Sequence, residues 1–271
     1  NTTGDDNNAF GESALDANTT GSDNNAFGVN ALTTLTTGNN NCAFGRSALG
    51  FATTASNNTA FGHSAANKTT TGQNNVAIGQ KALEDNTTSN HQTAVGYQAL
   101  QNATGGSNTA LGRSAGDNTT TGSNNTSLGA NAEPSSATAN NQVTLGNSSI
   151  SNLRCNDTSI SSLSDERDKT EIIDLPIGLD FINGLKPRKF KWATRDGNIK
   201  DGKYRAGFIA QELQALESST SVDYLDLVLD DNPDKLEATE GHLFPVLIKA
   251  IQELSAKNTT LETRVATLEA A

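Results

Sequence analysis

Asn75-Val76-Ala77-Ile78-Gly79-Gln80-Lys81-Ala82 is one copy of the motif that decides the fold of this chain. The motif reads Asn-x-Ala-φ-Gly-x-x-Ala, where φ is apolar, and it recurs every 17 residues except for one step of 16 residues from Gly96 to Gly112. Its nine glycines stand at positions 11, 28, 45, 62, 79, 96, 112, 129 and 146. A short fixed period with glycine at a constant place is typical of a solenoid whose coils stack on one another. We therefore predict a mostly β shaft over residues 1–150, a β-roll or solenoid of nine repeats.

Two columns of side chains are expected to run along this shaft. The apolar φ column contains Phe10, Phe27, Phe44, Phe61, Ile78, Val95, Leu111, Leu128 and Leu145. The column four residues before each glycine contains Asn7, Asn24, Asn41, Asn58, Asn75, Gln92, Asn108, Asn125 and Gln142. We expect the φ column to form a thin dry stripe and the amides to hydrogen-bond from coil to coil. Because one thin stripe is a poor core for a single chain, association around a common axis is favoured.

The composition narrows the class of protein. Only 34% of the residues are apolar, and tracts rich in Asn, Thr and Gly are usually disordered, but the fixed period argues against a disordered stalk. The net charge of −11 disfavours a nucleic-acid surface, and no apolar run is long enough to span a membrane. Cys42 and Cys155 do not make a disulfide framework, the three histidines lack metal-ligand spacing, and no cofactor is predicted. A chain without Met is expected to be a fragment or a processed product.

From Ser164 onward the sequence is typical of a small α+β domain, which we place at residues 164–271 after a linker over residues 151–163. Apolar periodicity and turn residues predict its elements. These are a short helix around Ile177–Ile182, paired strands at Lys189–Trp192 and Tyr204–Ala210, turns at Asp196-Gly197 and Asp201-Gly202, a helix opening at Gln211, and a third strand at Tyr224–Leu229. The basic cluster Lys186, Arg188, Lys189 and Lys191 could contact nucleic acid, but a solvated strand face is favoured in so acidic a chain.

The last part of the chain, about residues 244–271, has the heptad pattern of a coiled coil. Its a and d positions alternate in steps of three and four: Phe244, Leu247, Ile251, Leu254, Asn258, Leu261, Val265 and Leu268. Asn258 is a polar residue at an a position, which costs stability and can fix register and strand number. A helix with this seam (the a and d residues) could instead pack on its own domain, and that alternative stays open.

Ser164 and Lys169, five residues apart at the change of composition, form a candidate catalytic dyad. A serine hydroxyl becomes a strong nucleophile only when a base takes its proton, and a lysine acts as that base only when it is neutral, which burial favours. On a regular helix these positions face different sides, so the pair needs a turn or a neighbouring chain to meet. The alternative is that Ser164 is the N-cap of a helix whose first turn carries Asp165 and Glu166.

The repeats resemble those of the YadA-like head of trimeric adhesins, whose core is Val-Ala-Ile-Gly-x-x-Ala, and residues 75–79 are the closest copy. This resemblance implies a trimeric, left-handed β-roll, and the expected homotrimer rests partly on it. The period here is longer than in the shortest head repeats.

Residues 164–271 resemble the C-terminal intramolecular chaperone of phage endosialidase tail spikes and tail fibres, a self-cleaving serine peptidase family. The resemblance rests on an ordered set of motifs: Ser164 to Lys169, Gly178-Leu179, Leu185-Lys186-Pro187, Phe190-Lys191-Trp192, residues 207–212 and the terminal coiled coil. It implies that the module trimerises, guides folding of a β-fibre and then cuts itself off at Leu163–Ser164. By motif, Ser164 would be the nucleophile and Lys169 its base, acting once rather than with turnover.

We therefore expect a structural viral tail fibre or appendage tip, assembled in the host cytoplasm and located in the virion. One alternative is a trimeric adhesin that binds a host-surface glycan or receptor without active self-cleavage. A polysaccharide-degrading tail spike is disfavoured, because no paired carboxylates in a cleft-forming domain are evident. Neither nucleic acid nor membrane insertion is expected.

Overall fold

The computed structural model describes residues 1–156, 162, 164–193 and 202–270. The chain divides into two compact units, Asn1–Leu153 and Arg154–Ala271. Within the described ranges, no helix combines the length and the hydropathy that a membrane crossing requires.

The first unit is a parallel β-solenoid, which confirms the predicted fold class. Nine strands of three residues each pair in chain order, every one with the next. They are β1 Asn8–Phe10, β2 Asn25–Phe27, β3 Cys42–Phe44, β4 Thr59–Phe61, β5 Val76–Ile78, β6 Thr93–Val95, β7 Thr109–Leu111, β8 Thr126–Leu128 and β9 Val143–Leu145. Each residue pairs with its equivalent in the next coil, and Thr93 pairs with Thr109, so the short step is absorbed outside the strands.

The motif glycine follows each strand at a place that only glycine can occupy. Gly28 has φ +141°, in the region that side chains rarely adopt, and a Cβ there would lie 2.6 Å from the carbonyl carbon of Gly45. The coils therefore pass each other too closely for any side chain. Other turns in each coil use left-handed residues such as Asn40, with φ 58°, because Asn tolerates this conformation better than most residues do.

The predicted dry stripe of φ residues is wrong for the single chain. Phe10 is 74% exposed, Phe61 is 53% exposed, and most of the column shares this exposure. Neighbouring residues of a strand face opposite sides of the sheet, and here the small residue two before the glycine, such as Ala26, Ala43 or Ser127, is buried. The inner core consists of these alanines together with leucines such as Leu32 and Leu49, which are fully buried. The φ column instead forms an apolar ridge on the outside.

The predicted amide ladder is confirmed. Asn41 donates from its Nδ2 to Oδ1 of Asn24 at 3.0 Å and to the carbonyl of Ala55 at 2.8 Å. The same Oδ1 of Asn24 accepts the backbone N–H of Asn41 at 3.0 Å. These asparagines are buried, and each one satisfies a backbone carbonyl and a backbone N–H of the next coil. Paired amides of this kind stabilise a thin core, because unpaired polar groups would be costly there.

Near the C-terminal end of the solenoid, the Glu133 side chain binds backbone N–H groups of the preceding coil. In earlier coils the N–H of Lys68 donates to the carbonyl of Glu84, one coil further along the chain. At the end of the array the Glu133 carboxylate replaces such a carbonyl, accepting the N–H of Asp117 at 3.0 Å and that of Asn118 at 3.1 Å. Burial, and to a smaller extent the nearby Asp117 charge, raises the pKa of Glu133 to about 7.

The second unit is a small α+β assembly with a long terminal helix. Its helices and strands are α1 Leu179–Gly184, β10 Arg188–Lys191, β11 Tyr204–Gly207, α2 Ala210–Thr220, β12 Val228–Leu229, β13 Glu237–Ala238 and α3 Leu243–Glu269. Strands β10 and β11 form an antiparallel hairpin, and β12 pairs with β13. The predicted turns at Asp196-Gly197 and at Asp201 lie outside the described residues.

Two predicted strands of this unit are shorter than expected. The strand predicted to reach Ala210 ends at Gly207, because α2 already begins at Ala210. The strand predicted at Tyr224–Leu229 is mostly a 3-10 turn over Asp223–Leu225, and only Val228–Leu229 pairs as a strand. The buried apolar residues of the second segment are Leu225 in the 3-10 turn, Leu227 just before β12, and Val228 in β12.

Helix α3 carries both buried and exposed apolar residues. Leu243, Val246 and Ala250 are buried, and Leu243 and Val246 join the core formed with Phe181 and Leu213. The residues of the predicted seam are exposed: Phe244, Leu247, Ile251, Leu254, Leu261, Val265 and Leu268. The alternative in which the seam packs on its own domain is therefore wrong for the single chain. With 27 residues the helix is about 40 Å long.

Candidate functional site: the Ser164–Lys169 turn

A 3-10 turn gives the junction its shape. Glu166–Asp168 form this turn, and the preceding residue, Asp165, has an extended backbone and is the N-cap. Asp165 Oδ1 accepts the backbone N–H of Arg167 at 2.9 Å, and the N–H of Lys169 donates to the carbonyl of Glu166. The sequence analysis considered Ser164 as a cap, but Asp165 holds that position. The Ser164 side chain therefore remains available for another partner.

The turn brings Ser164 and Lys169 together. Nζ of Lys169 donates to Oγ of Ser164 at 2.5 Å and lies 3.4 Å from the Ser164 carbonyl oxygen. A tight 3-10 turn reverses the chain within the five-residue spacing, which a regular helix would not do. The turn that the pair needs is thus present within one chain, without a neighbour. Leu163, whose carbonyl the hydroxyl would attack, lies outside the described residues.

The other charged groups of the turn differ in whether they have partners. The Arg167 guanidinium donates to both carboxylate oxygens of Asp165, from Nε at 2.9 Å and from Nη2 at 2.6 Å. This bidentate hydrogen bond lowers the pKa of the Asp165 carboxyl, which stays ionised and occupied. Glu166 and Asp168 are exposed and form no ion pair with any described residue.

The geometry suits a nucleophile and its base, but the environment in the single chain does not complete the chemistry. A hydrogen bond between a hydroxyl and an amine is the arrangement that proton transfer requires. Ser164 and Lys169 are both exposed, whereas a lysine that accepts a proton must first be neutral, and desolvation is what favours the neutral amine. Among the residues that the structure describes, no surface covers the pair.

Helix α3 contacts α1 through a hydrogen bond that the sequence analysis missed. Oε2 of Glu253 accepts the N–H of Leu179 at 2.8 Å and so caps the start of α1. A side chain at Gly178 would lie 2.6 Å from Oε1 of Glu253, so the glycine makes room for the carboxylate. The available signal was the apolar spacing of Leu243, Val246 and Ala250, which are the buried residues of the helix.

The hairpin carries most of the predicted basic cluster. Arg188 forms a bidentate ion pair with Glu212 of α2, so this cation is already neutralised. Lys189 and Lys191 lie over the Tyr204 ring, with Nζ 4.3 Å and 4.6 Å from its centroid. Both lysines are exposed, as expected for a solvated strand face.

Two further titratable side chains of the unit, Glu217 and His242, have structural roles. Burial raises the pKa of Glu217, and its Oε1 accepts the N–H of Leu227 at 2.9 Å. Nδ1 of His242 lies 2.8 Å from the Leu225 carbonyl oxygen and fixes the start of α3. Over the described residues, no three His, Cys, Asp or Glu side chains are grouped as metal ligands would be.

Comparison with curated proteins gives no significant match, and comparison with solved structures gives none either. A family model does match part of the chain, from Ser164 to Ser221, and its description is chaperone of endosialidase, a peptidase family. The match begins at the serine of the dyad and ends just after α2. It supports a chaperone role for the C-terminal module in the folding of a fibre. Over residues 164–221, this chain is similar to the chaperone of endosialidase.

Proposed function

We propose that this chain is part of a phage tail fibre or appendage whose C-terminal module trimerises the chain, assists folding of the solenoid and then releases itself. The hydrogen bond from Lys169 Nζ to Ser164 Oγ carries this proposal, because it unites a nucleophile and a base at the first residue of the family match. A virion location follows from the same assignment, with assembly in the host cytoplasm before cutting.

The cleavage proceeds by acyl transfer and hydrolysis at Leu163–Ser164. Neutral Lys169 takes the hydroxyl proton as Ser164 Oγ attacks the Leu163 carbonyl carbon. The C–N bond breaks, and the lysine returns the proton to the departing amino group of Ser164, which leaves an ester between Leu163 and the Ser164 oxygen. One water then hydrolyses the ester into a Leu163 carboxylate and a free Ser164 hydroxyl. The module is cut once, in its own chain, without turnover.

Two exposed apolar surfaces support the proposed homotrimer. The first is the outer ridge of the solenoid, where the Phe44 and Phe61 rings stack with their centroids 4.8 Å apart. The second is the seam of α3, where Ile251 is 62% exposed and Leu268 is 70% exposed. Rows of exposed apolar side chains this long are costly in water. Association about a common axis would cover each row with its copies.

Exposure of the dyad favours one alternative, a trimeric adhesin-type protein that binds a host glycan or receptor without cutting itself. In that case the same module would assemble the chain and remain attached. Ser164 and Lys169 would then form an ordinary surface hydrogen bond. Both proposed functions include assembly of the chain, and they differ in whether the Leu163–Ser164 peptide bond is cut.

Cleavage is tested by expressing the chain and analysing it by denaturing gel and mass spectrometry. We expect a fragment that begins at Ser164, absent from Ser164→Ala and from Lys169→Ala. Ser162→Ala is the matched control, because it removes a nearby hydroxyl outside the dyad and should leave cutting intact. An uncut wild-type chain in a well-formed trimer would exclude self-cleavage and leave the adhesin.

The chaperone role is tested separately, by expressing residues 1–163 without the module. We expect residues 1–163 to aggregate or misfold, measured by light scattering and by circular dichroism. The full chain, expressed in the same way, should give soluble trimers. Clean trimers of residues 1–163 alone would show that the solenoid needs no assistance.

A further inference from the structure

The exposed dyad needs a cover with particular chemistry. The cover must exclude water from Lys169 and must complement the negative charges of Glu166 and Asp168, which have no ion-pair partner among the described residues. A positive charge close to the lysine would further favour its neutral form, because like charges disfavour each other. An apolar surface bearing unpaired cations meets all three requirements.

The outer face of the β10–β11 hairpin is such a surface. Lys191 pairs with Tyr204 across the hairpin, and Lys189 lies two residues away on the same side. Both ammonium groups rest on the Tyr204 ring, whose residue is 60% exposed. Neither lysine has a carboxylate partner within the described parts of the chain. Two cations held over one exposed aromatic ring form a compact site for an acidic segment.

We propose that this hairpin face, Lys189, Lys191 and Tyr204, docks on the Ser164–Lys169 turn of a neighbouring copy of the chain and completes the dyad there. The proposal rests on the proposed homotrimer and self-cleavage. The occupant is a second copy because, within one chain, the turn and the hairpin face are both exposed and share no hydrogen bond or ion pair. A cyclic trimer joins different patches of neighbouring chains, and opposite charges on two patches select this pairing.

The arrangement links cutting to assembly. A single chain presents the serine and the lysine but leaves both exposed to water. Docking places Tyr204 over the pair and sets the two hairpin lysines against Glu166 and Asp168. The turn thus supplies the reacting groups, and the neighbour supplies the environment in which they react. Lys189, Lys191 and Tyr204 are positioning residues in this scheme, because none of them touches the scissile bond.

The first test is the double variant Lys189→Glu/Lys191→Glu of the full chain. We expect the rate of cutting to fall about tenfold or more while size-exclusion chromatography with light scattering still shows trimers, since the seam of α3 is unchanged. Lys186→Glu/Lys235→Glu is the matched control, with the same change of net charge on exposed lysines outside the face. Lys189→Gln/Lys191→Gln is measured alongside as a milder pair.

The decisive test is complementation between chains. A Ser164→Ala chain cannot cut but carries an intact hairpin, and a Lys189→Glu/Lys191→Glu chain has an intact dyad. When the two are co-expressed with different tags, mixed trimers should restore cutting of the Lys189→Glu/Lys191→Glu chain alone. Rescue supports a hairpin that acts on its neighbour.

Three results would overturn the inference while the proposed self-cleavage stands. The first is a wild-type rate of cutting in trimers of the Lys189→Glu/Lys191→Glu variant. The second is absence of rescue in verified mixed trimers. The third is loss of the trimer in both the Glu and the Gln double variants. The last result would assign the lysines to assembly itself. An uncut wild-type trimer is a different outcome, because it removes the proposed function and this inference together.

Discussion

Replacing Asn58 by alanine tests whether the amide ladder holds the solenoid together. Nδ2 of Asn58 donates to Asn41 Oδ1 at 3.2 Å and to the Gly72 carbonyl at 2.9 Å, and its Oδ1 accepts the Asn75 N–H at 3.0 Å. The variant removes all three hydrogen bonds and leaves the buried Gly72 carbonyl and Asn75 N–H without side-chain partners. At about 1–3 kcal/mol for each of the two orphaned groups, we expect a loss of about 2–6 kcal/mol.

A loss of this size is a large part of the stability of an ordinary domain, about 5–15 kcal/mol. The assay is urea unfolding of the assembled protein followed by circular dichroism, with hydrogen exchange at the Asn75 amide as a local probe. Thr37→Ala is the control, because Thr37 is exposed and its side chain makes no hydrogen bond that the structure shows; its change should stay within about 0.5 kcal/mol. A loss below about 1 kcal/mol in Asn58→Ala, with unchanged exchange, would refute the argument that the ladder supports this core.

Three further predictions concern glycine packing, pH and the contact between helices. Gly28→Ala should prevent soluble folding or cost at least about 3 kcal/mol, because its Cβ would meet the Gly45 backbone at 2.6 Å in a left-handed conformation; thermal unfolding at normal yield and midpoint would contradict this. Glu133 has a pKa raised from 4.5 to about 7 by burial, so the folded array holds this proton more tightly and should lose stability as the pH rises from about 4.5 to 7. Allowing for solvent screening of this partly exposed carboxyl, the change should be about 1 kcal/mol in thermal unfolding, and Glu133→Gln should flatten it. Glu253→Ala should lower the melting temperature of the C-terminal unit measured alone by several degrees, because α1 loses its cap at Leu179, whereas exposed Glu262→Ala should change it little.

The solenoid could be predicted because the same sequence motif recurs in every coil. Nine copies of a glycine at a constant place define the coil, and the column of amides needs only the period to be placed in register. The side of the strand that faces inward was not predictable from size, since Phe44 is outside and Ala43 is inside. The central strand position holds small side chains such as Ala43 and Ser127, and the buried leucines fill another part of the coil interior.

The sequence identified the two residues of the candidate dyad but did not show that they are in contact. The spacing of Ser164 and Lys169 made them candidates, but the three residues that form the 3-10 turn suit a helix equally well, so their contact depended on the local backbone. The seam of α3 follows directly from its heptads. The Glu253 cap on α1 joins residues 74 positions apart, and no local pattern reports a contact over that separation.

Because the coils pair in register, duplication of a coil can lengthen the shaft without changing the pairing pattern. Each strand hydrogen-bonds only to the strands before and after it, so a coil inserted at any motif glycine would meet neighbours like its own. Every added unit would extend the shaft by about 4.8 Å. The step from Thr93 to Thr109 shows that a residue can be lost between strands without disturbing the pairing. The length of the shaft can therefore change by whole coils while the C-terminal module stays unchanged.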